Sequence, residues 1–194
     1  MLRITGLKRL NEPAQKWLNI WEMDYVDSRG KERKHFFASR NKLPKPECAP
    51  VANAVIAICR YGDKLLITKE VRCVVGGEEW GFVAGLIEEG ETAEQAAIRE
   101  GKQETGLNVV RITGQSPSTP SSAGMTDEAA IYIFCDVEGE LTKEFLEGDE
   151  DIDGFLLDYN ETVKLCDRIA PYDTGVVAAR AWPILYMYKM LGMI

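Results

Sequence analysis

The sequence predicts a mixed α/β chain, and three observations carry the prediction. Two pairs of apolar runs have strand character and are joined by short Gly/Asp turns. A strand-like segment then passes through a glycine into an Ala-rich, Glu-rich run of helix formers. Finally, the chain closes on an apolar stretch of helical length. Of 194 residues, 23 are Lys or Arg and 31 are Asp or Glu, giving a net charge of −8, and 45% are hydrophobic. That composition fits one globular domain with a small appendage.

Met1 to Leu10 carries Arg3, Lys8 and Arg9 but no apolar run, so it is not read as a signal peptide. From Trp17 to Val26, the residues Trp17, Asn19, Trp21, Met23 and Tyr25 share one side, which is the period of a strand. Asp27 to Gly30 turns the chain, and Lys31 to Arg40 returns through His35, Phe36 and Phe37 as the second strand of a hairpin. Asn41 to Pro50 is rich in Pro and Lys and reads as an extended linker. A boundary is therefore expected there, with residues 1–50 as a β arm and linker and 51–194 as the main domain.

Val51 to Cys59 is almost continuously apolar, Tyr61-Gly62-Asp63 turns it, and Lys64 to Val71 runs back, which predicts a central, buried hairpin. Past Gly76-Gly77, Glu79 to Ile87 reads as a strand and Thr92 to Thr105 as a helix stopped by Gly106. Asn108 to Gly114 and Ala129 to Val137 read as further strands, separated by a Ser/Thr/Pro-rich loop from Gln115 to Asp127. The carboxylate run from Glu147 to Asp153 reads as a solvated loop.

Val176 to Leu191 reads as a core helix, kinked or started afresh near Pro183. In the apolar stretch from Gly175 to Ile194, Arg180, Pro183, Lys189 and Gly192 interrupt the run well short of the ~20 clean apolar residues of a membrane span. The five cysteines, Cys48, Cys59, Cys73, Cys135 and Cys166, contain no C-x-x-C pair, so reduced structural thiols in a cytoplasmic protein are expected. The negative charge argues against holding nucleic acid through phosphate neutralisation. An acidic chain that takes a phosphate compound needs a divalent cation to bridge carboxylates and phosphate oxygens.

The chemistry concentrates between Gly85 and Leu107. On a helix advancing about 100° per residue, Glu104 lies about 40° from Glu100, and Gln103 about 60° away on the other side. One face thus carries two carboxylates and an amide, a set that suits Mg²⁺ completed by phosphate oxygens and water. Read from these residues alone, a merely solvated acidic helix is the favoured reading.

The spacing adds to this. Gly85, five residues, Glu91, seven residues, Arg99-Glu100, then Glu104, Gly106 and Leu107 resembles the signature of the Nudix hydrolases. Gln103 stands where that family usually has Glu, and Gly101 where it usually has an apolar residue. Lys69-Glu-Val-Arg72, Gly76-Gly77 and Trp80-Gly-Phe-Val-Ala84-Gly85 are similar to the Arg-containing strand, turn and helix approach of its ADP-ribose and ADP-sugar pyrophosphatase branch. There Gly81 and Val83 replace a Glu and a Pro. Ser121 to Glu128 is similar to the branch's loop carrying a catalytic glutamate, which maps onto Glu128. Trp17, Tyr25, Gly30-Lys31 and Arg40 keep the spacing of the branch's N-terminal hairpin, with His35 in place of a Trp.

The resemblance implies an α/β/α sandwich around a mixed sheet, preceded by a small N-terminal antiparallel β arm that pairs in a homodimer. It implies Glu100, Glu104 and the Ala84 carbonyl as ligands of Mg²⁺, or of Mn²⁺ in its place, with Gly85, Glu91 and Gln103 supporting the motif. Arg99 would orient the carboxylates and Glu128 would activate water. Trp17 would stack a nucleobase, and Arg40 and Arg72 would bind a pyrophosphate. The implied reaction is hydrolysis of ADP-ribose, or a related nucleoside diphosphate sugar, to a nucleoside monophosphate and a sugar phosphate, with no nucleic-acid or membrane partner. The other readings are a Nudix hydrolase of dinucleoside polyphosphates, NAD or nucleoside triphosphates, and a non-catalytic nucleotide sensor.

Overall fold

The computed structural model describes residues 3–46, 48, 50–148 and 150–192. In chain order its strands begin with β1 (Arg3–Arg9), β2 (Asn19–Val26), β3 (Glu32–Ser39), β4 (Ala54–Tyr61), β5 (Lys64–Arg72), β6 (Gly77–Gly81) and β7 (Val83–Leu86). Helix α1 (Ala93–Thr105) follows, then β8 (Asn108–Gln115), β9 (Thr119–Pro120), β10 (Ala129–Glu138) and β11 (Ile152–Leu157). Helix α2 (Tyr159–Cys166), β12 (Val176–Val177) and helix α3 (Trp182–Leu191) complete the chain. Contacts group these residues into two units, 1–53 with 118–130, and 54–117 with 131–194.

In the first unit β1, β2 and β3 form an antiparallel sheet. The hairpin pairs Asn19 with Ser39 through to Val26 with Glu32, around the Asp27 turn. Asp27 Oδ1 caps that turn by accepting the amides of Arg29 and Lys31 at 2.9 and 3.0 Å. The alternation read from the sequence is realised as a small core of Trp21, Met23 and Phe37, against which Ile4, Leu7 and Tyr25 pack. Strand β1 was not expected from the sequence.

In the second unit the sheet order is β12-β6-β5-β4-β10-β8, with β11 on β5 and β7 on β4. The β12–β6 pair is parallel and the β4–β5, β5–β6 and β5–β11 pairs are antiparallel, so the sheet is mixed. Val55, Ala57, Cys59 and Leu66 join the Ala96 and Ala97 face of α1 in one core. Ile56, Ile58, Leu65 and Ile67, which alternate with them, are as deeply buried. The β4–β5 hairpin is therefore covered on both faces, as its unbroken apolar runs predict.

Three expectations need correction. Glu79 to Ile87 is two strands, because β6 pairs with β5 while β7 pairs with β4, and the chain changes neighbour at Phe82. Val176 to Leu191 is helical only from Trp182, where α3 starts afresh beside Pro183 as expected, whereas Val176 and Val177 form β12. Pro183 lies in its first turn, where a missing N–H costs no helical hydrogen bond. The carboxylate run is not all solvated loop, since Ile152 and Asp153 open β11 and pair with Glu70 and Lys69. Among the described residues no helix is long and apolar enough to cross a membrane.

Candidate active site

Helix α1 is fixed at both ends by local chemistry. Thr92 and Gln95 form a reciprocal capping box at its start, and Gly106, at φ +78°, closes it in the left-handed region that glycine tolerates. The ends set the rotation of the helix, so Glu100 and Glu104 both face inward, at 9% and 6% exposure. Strand β7 crosses close above them. A Cβ on Gly85 would overlap the Glu100 carboxylate, so any side chain there would push that carboxylate from its place. One residue earlier, the Ala84 amide donates to Glu104 Oε1 at 3.2 Å.

Arg99 ties the motif together. Its Nη1 donates to Glu100 Oε1 at 2.7 Å and to Gln103 Oε1 at 2.9 Å. Its Nε and Nη2 donate to the two oxygens of Glu91, at 3.0 and 2.9 Å, and Nη2 also donates to the Leu86 carbonyl at 2.8 Å. Hydrogen bonding to Arg99 holds the Glu91 carboxyl below its usual range. Burial pushes Glu100 upward against the opposing pull of Arg99. Burial pushes Glu104 well above the usual range, only partly offset by the Ala84 amide, and the charges of Glu100, Glu70 and Glu150 add to the rise.

Gln103 uses both ends of its amide, since Nε2 donates to Glu147 Oε1 at 2.7 Å. That contact was invisible in the sequence, where Glu147 was one of several carboxylates. The only available signal was its place at the start of the acidic run. Arg72 pairs with Glu70 at 2.6 Å and lies 3.6 Å from Glu79. The second unit thus brings together Ala84, Gly85, Glu91, Arg99, Glu100, Gln103 and Glu104.

The other candidates belong to the first unit. Arg40 Nε donates to Glu128 Oε2 at 3.1 Å. Trp17 is 60% exposed, with Lys16 Nζ 4.1 Å from its ring centroid. It does not line the unit's cavity of about 480 Å³, whose walls include Met23, His35, Phe37, Leu43 and Asp127.

Residues 50–178 match the family model of the NUDIX domain. The chain belongs to the Nudix family. It is 30% identical over 130 residues to an ADP-ribose pyrophosphatase of Saccharomyces cerevisiae, a match covering 65% of this chain and 55% of that protein. A match to a nudix hydrolase of Caenorhabditis elegans, 29% over 126 residues, covers 64% of this chain and 56% of the other. The matched region therefore spans just over half the length of these two relatives. An ADP-ribose pyrophosphatase of Bacillus subtilis is 29% identical over 152 residues, 77% of each chain. In fold, this Nudix chain is similar along its whole length to the crystal structure of an ADP compounds hydrolase, with a TM-score of 0.70, 18% identity and 97% of that chain covered.

Proposed function

We propose that this Nudix protein hydrolyses the pyrophosphate bond of ADP-ribose, or of a related nucleoside diphosphate sugar, in a reaction dependent on Mg²⁺ or Mn²⁺. The observation that carries the reading is the state of Glu104. It is buried, hydrogen-bonded by the Ala84 amide, and paired with no Lys or Arg among the described residues. Its nearest charges include other carboxylates. A buried carboxylate lacking a cation is costly, and a divalent ion beside Glu100 and Glu104 removes that cost. Among the described residues no three acidic, His or Cys side chains form a cage of their own. A two-carboxylate site suits Mg²⁺, which keeps several waters and takes the rest of its shell from phosphate oxygens.

In this reading Glu100, Glu104 and the backbone at Ala84 hold the cation, which when bound neutralises the pyrophosphate oxygens. Arg99 stays charged and fixes Glu100 through the 2.7 Å hydrogen bond. Arg40 and Arg72 contribute positive charge to the pyrophosphate, Trp17 offers a face to the base, and Glu128 takes the proton from the attacking water. The products are a nucleoside monophosphate and a sugar phosphate. A homodimer formed through the β arm and a cytoplasmic location belong to the same reading.

Melting curves with and without Mn²⁺ test the cation site apart from turnover. The unaltered protein is expected to melt higher with Mn²⁺. Glu104→Gln is expected to fold, to lose that shift, and to lose metal-dependent turnover. A folded Glu104→Gln protein with undiminished turnover contradicts the assignment.

A further inference from the structure

Three successive residues at the end of β3 grip two successive carboxylates. Strand β3 ends at Ser39, and the bend that follows carries Arg40 and Asn41. The buried Ser39 Oγ donates to Asp127 Oδ2 at 2.8 Å, and Asn41 Nδ2 donates to the same oxygen at 2.9 Å. The Asn41 amide in turn donates to Ser39 Oγ at 3.0 Å. Arg40 takes Glu128. The backbone joins in, because the Ala38 amide donates to the Met125 carbonyl at 2.8 Å and Ala38 bridges Thr126.

The loop is also closed on itself. The amides of Met125 and Thr126 donate to the Ser122 carbonyl, the Ser121 amide donates to the Glu128 carbonyl at 2.9 Å, and the Glu128 amide donates to Thr126 Oγ1 at 3.1 Å. Asp127 Oδ1 lies out of solvent with no hydrogen-bond partner. A buried carboxylate oxygen without a partner costs stability, so the contacts of Asp127 fix the place of the loop more than they stabilise it.

We infer that Asp127 is a positioning residue for Glu128. The Ser39–Asn41 clamp on Asp127 fixes the backbone from which the proposed base projects. The inference rests on the reading of Glu128 given above. Arg40 cannot serve as that anchor, because in the same reading the pyrophosphate claims it, and its hold on Glu128 must then loosen. Asp127 faces no such competition. Displacing a reacting group by about 1 Å can cost on the order of 100-fold in rate, so the clamp acts on kcat more than on KM.

The test is a double-mutant cycle on ADP-ribose hydrolysis with Mg²⁺, using Asp127→Ala, Glu128→Gln and the double variant, with the melting temperature of each. Asp127→Ala is expected to lower kcat roughly 10- to 100-fold, with KM within about threefold. In the Glu128→Gln background the same change is expected to do nothing further. Asp127→Asn keeps an acceptor for Ser39 and Asn41 and is expected to restore most of kcat, and it carries the test if Asp127→Ala fails to fold. An unchanged kcat in Asp127→Ala, or an equal loss with and without Glu128, overturns the inference. A Glu128→Gln protein with full turnover removes the base itself, and the positioning role falls with it. That outcome is distinct from loss of the cation site, which the Mn²⁺ melting shift reads independently.

Discussion

Gln103 Nε2 and Glu147 Oε1 are 2.7 Å apart, so the amide that stands at a usual glutamate position of the Nudix motif binds a carboxylate from a distant loop. A glutamate at 103 would face Glu147 with like charge. Glu147 is held to α1 by an amide–carboxylate contact in place of a repulsive pair.

This contact predicts a specific coupling. Gln103→Glu alone sets two carboxylates against each other and Glu147→Gln alone removes the charge that strengthens the hydrogen bond, whereas the two together restore an amide–carboxylate pair in reverse. Thermal melts of the four proteins are expected to give a favourable interaction of about 0.5–1 kcal/mol, the scale of an exposed pair. Additive effects would show that the contact does not hold the loop.

Gly101 offers a gain in stability. It lies inside α1, and a Cβ there would meet Val109 Cγ2 at 3.5 Å, an ordinary contact. Gly101→Ala is therefore expected to stabilise the protein by about 0.5–1 kcal/mol, or about 1–4 °C in melting temperature. A lower melting temperature would mean that the helix packs more tightly on β8 than the contact distance implies.

Asp136 sets an acid dependence. It sits on β10 between Arg111 of β8, whose Nε is 2.7 Å away, and Arg60 of β4 at 3.0 Å. The hydrogen bond from Arg111 is the largest cause of a carboxyl held below its usual value of 3.8, and Arg60 adds to it. A depressed native value means that the contribution is fully present above the unfolded value and is lost as pH falls through the native one. Asp136→Asn is expected to melt below the unaltered protein at neutral pH, with the gap closing below about pH 3.8. A gap unchanged down to pH 2 would exclude the ion pairs as its source.

The parts of the fold legible in the sequence are those that local residues determine. Thr92, Gln95 and Gly106 start and stop α1 within its own length, and Glu100, Gln103 and Glu104 share a face through helical geometry alone. The β4–β5 hairpin announced itself through two apolar runs and a Gly62 turn. What stayed hidden depends on distant partners. Strand β1 has only Ile4 and Leu7 as apolar residues, and its register shifts between Ile4 and Gly6, so no alternation shows. Strand β12 exists only because Val176 and Val177 meet β6. Helix α2 has eight residues, too few for a clear period. In the site, the Arg40–Glu128 and Gln103–Glu147 contacts join residues 88 and 44 positions apart, a separation that no spacing rule spans.

Product analysis tests the central claim most directly. The purified protein would be incubated with ADP-ribose, ADP-glucose, NAD, diadenosine polyphosphates and nucleoside triphosphates, each with Mg²⁺ and with chelator. The account predicts AMP and a sugar phosphate from ADP-ribose or ADP-glucose with Mg²⁺, and neither product with chelator. Nucleotide binding without turnover of any of these compounds would contradict it and identify the chain as a non-catalytic Nudix sensor.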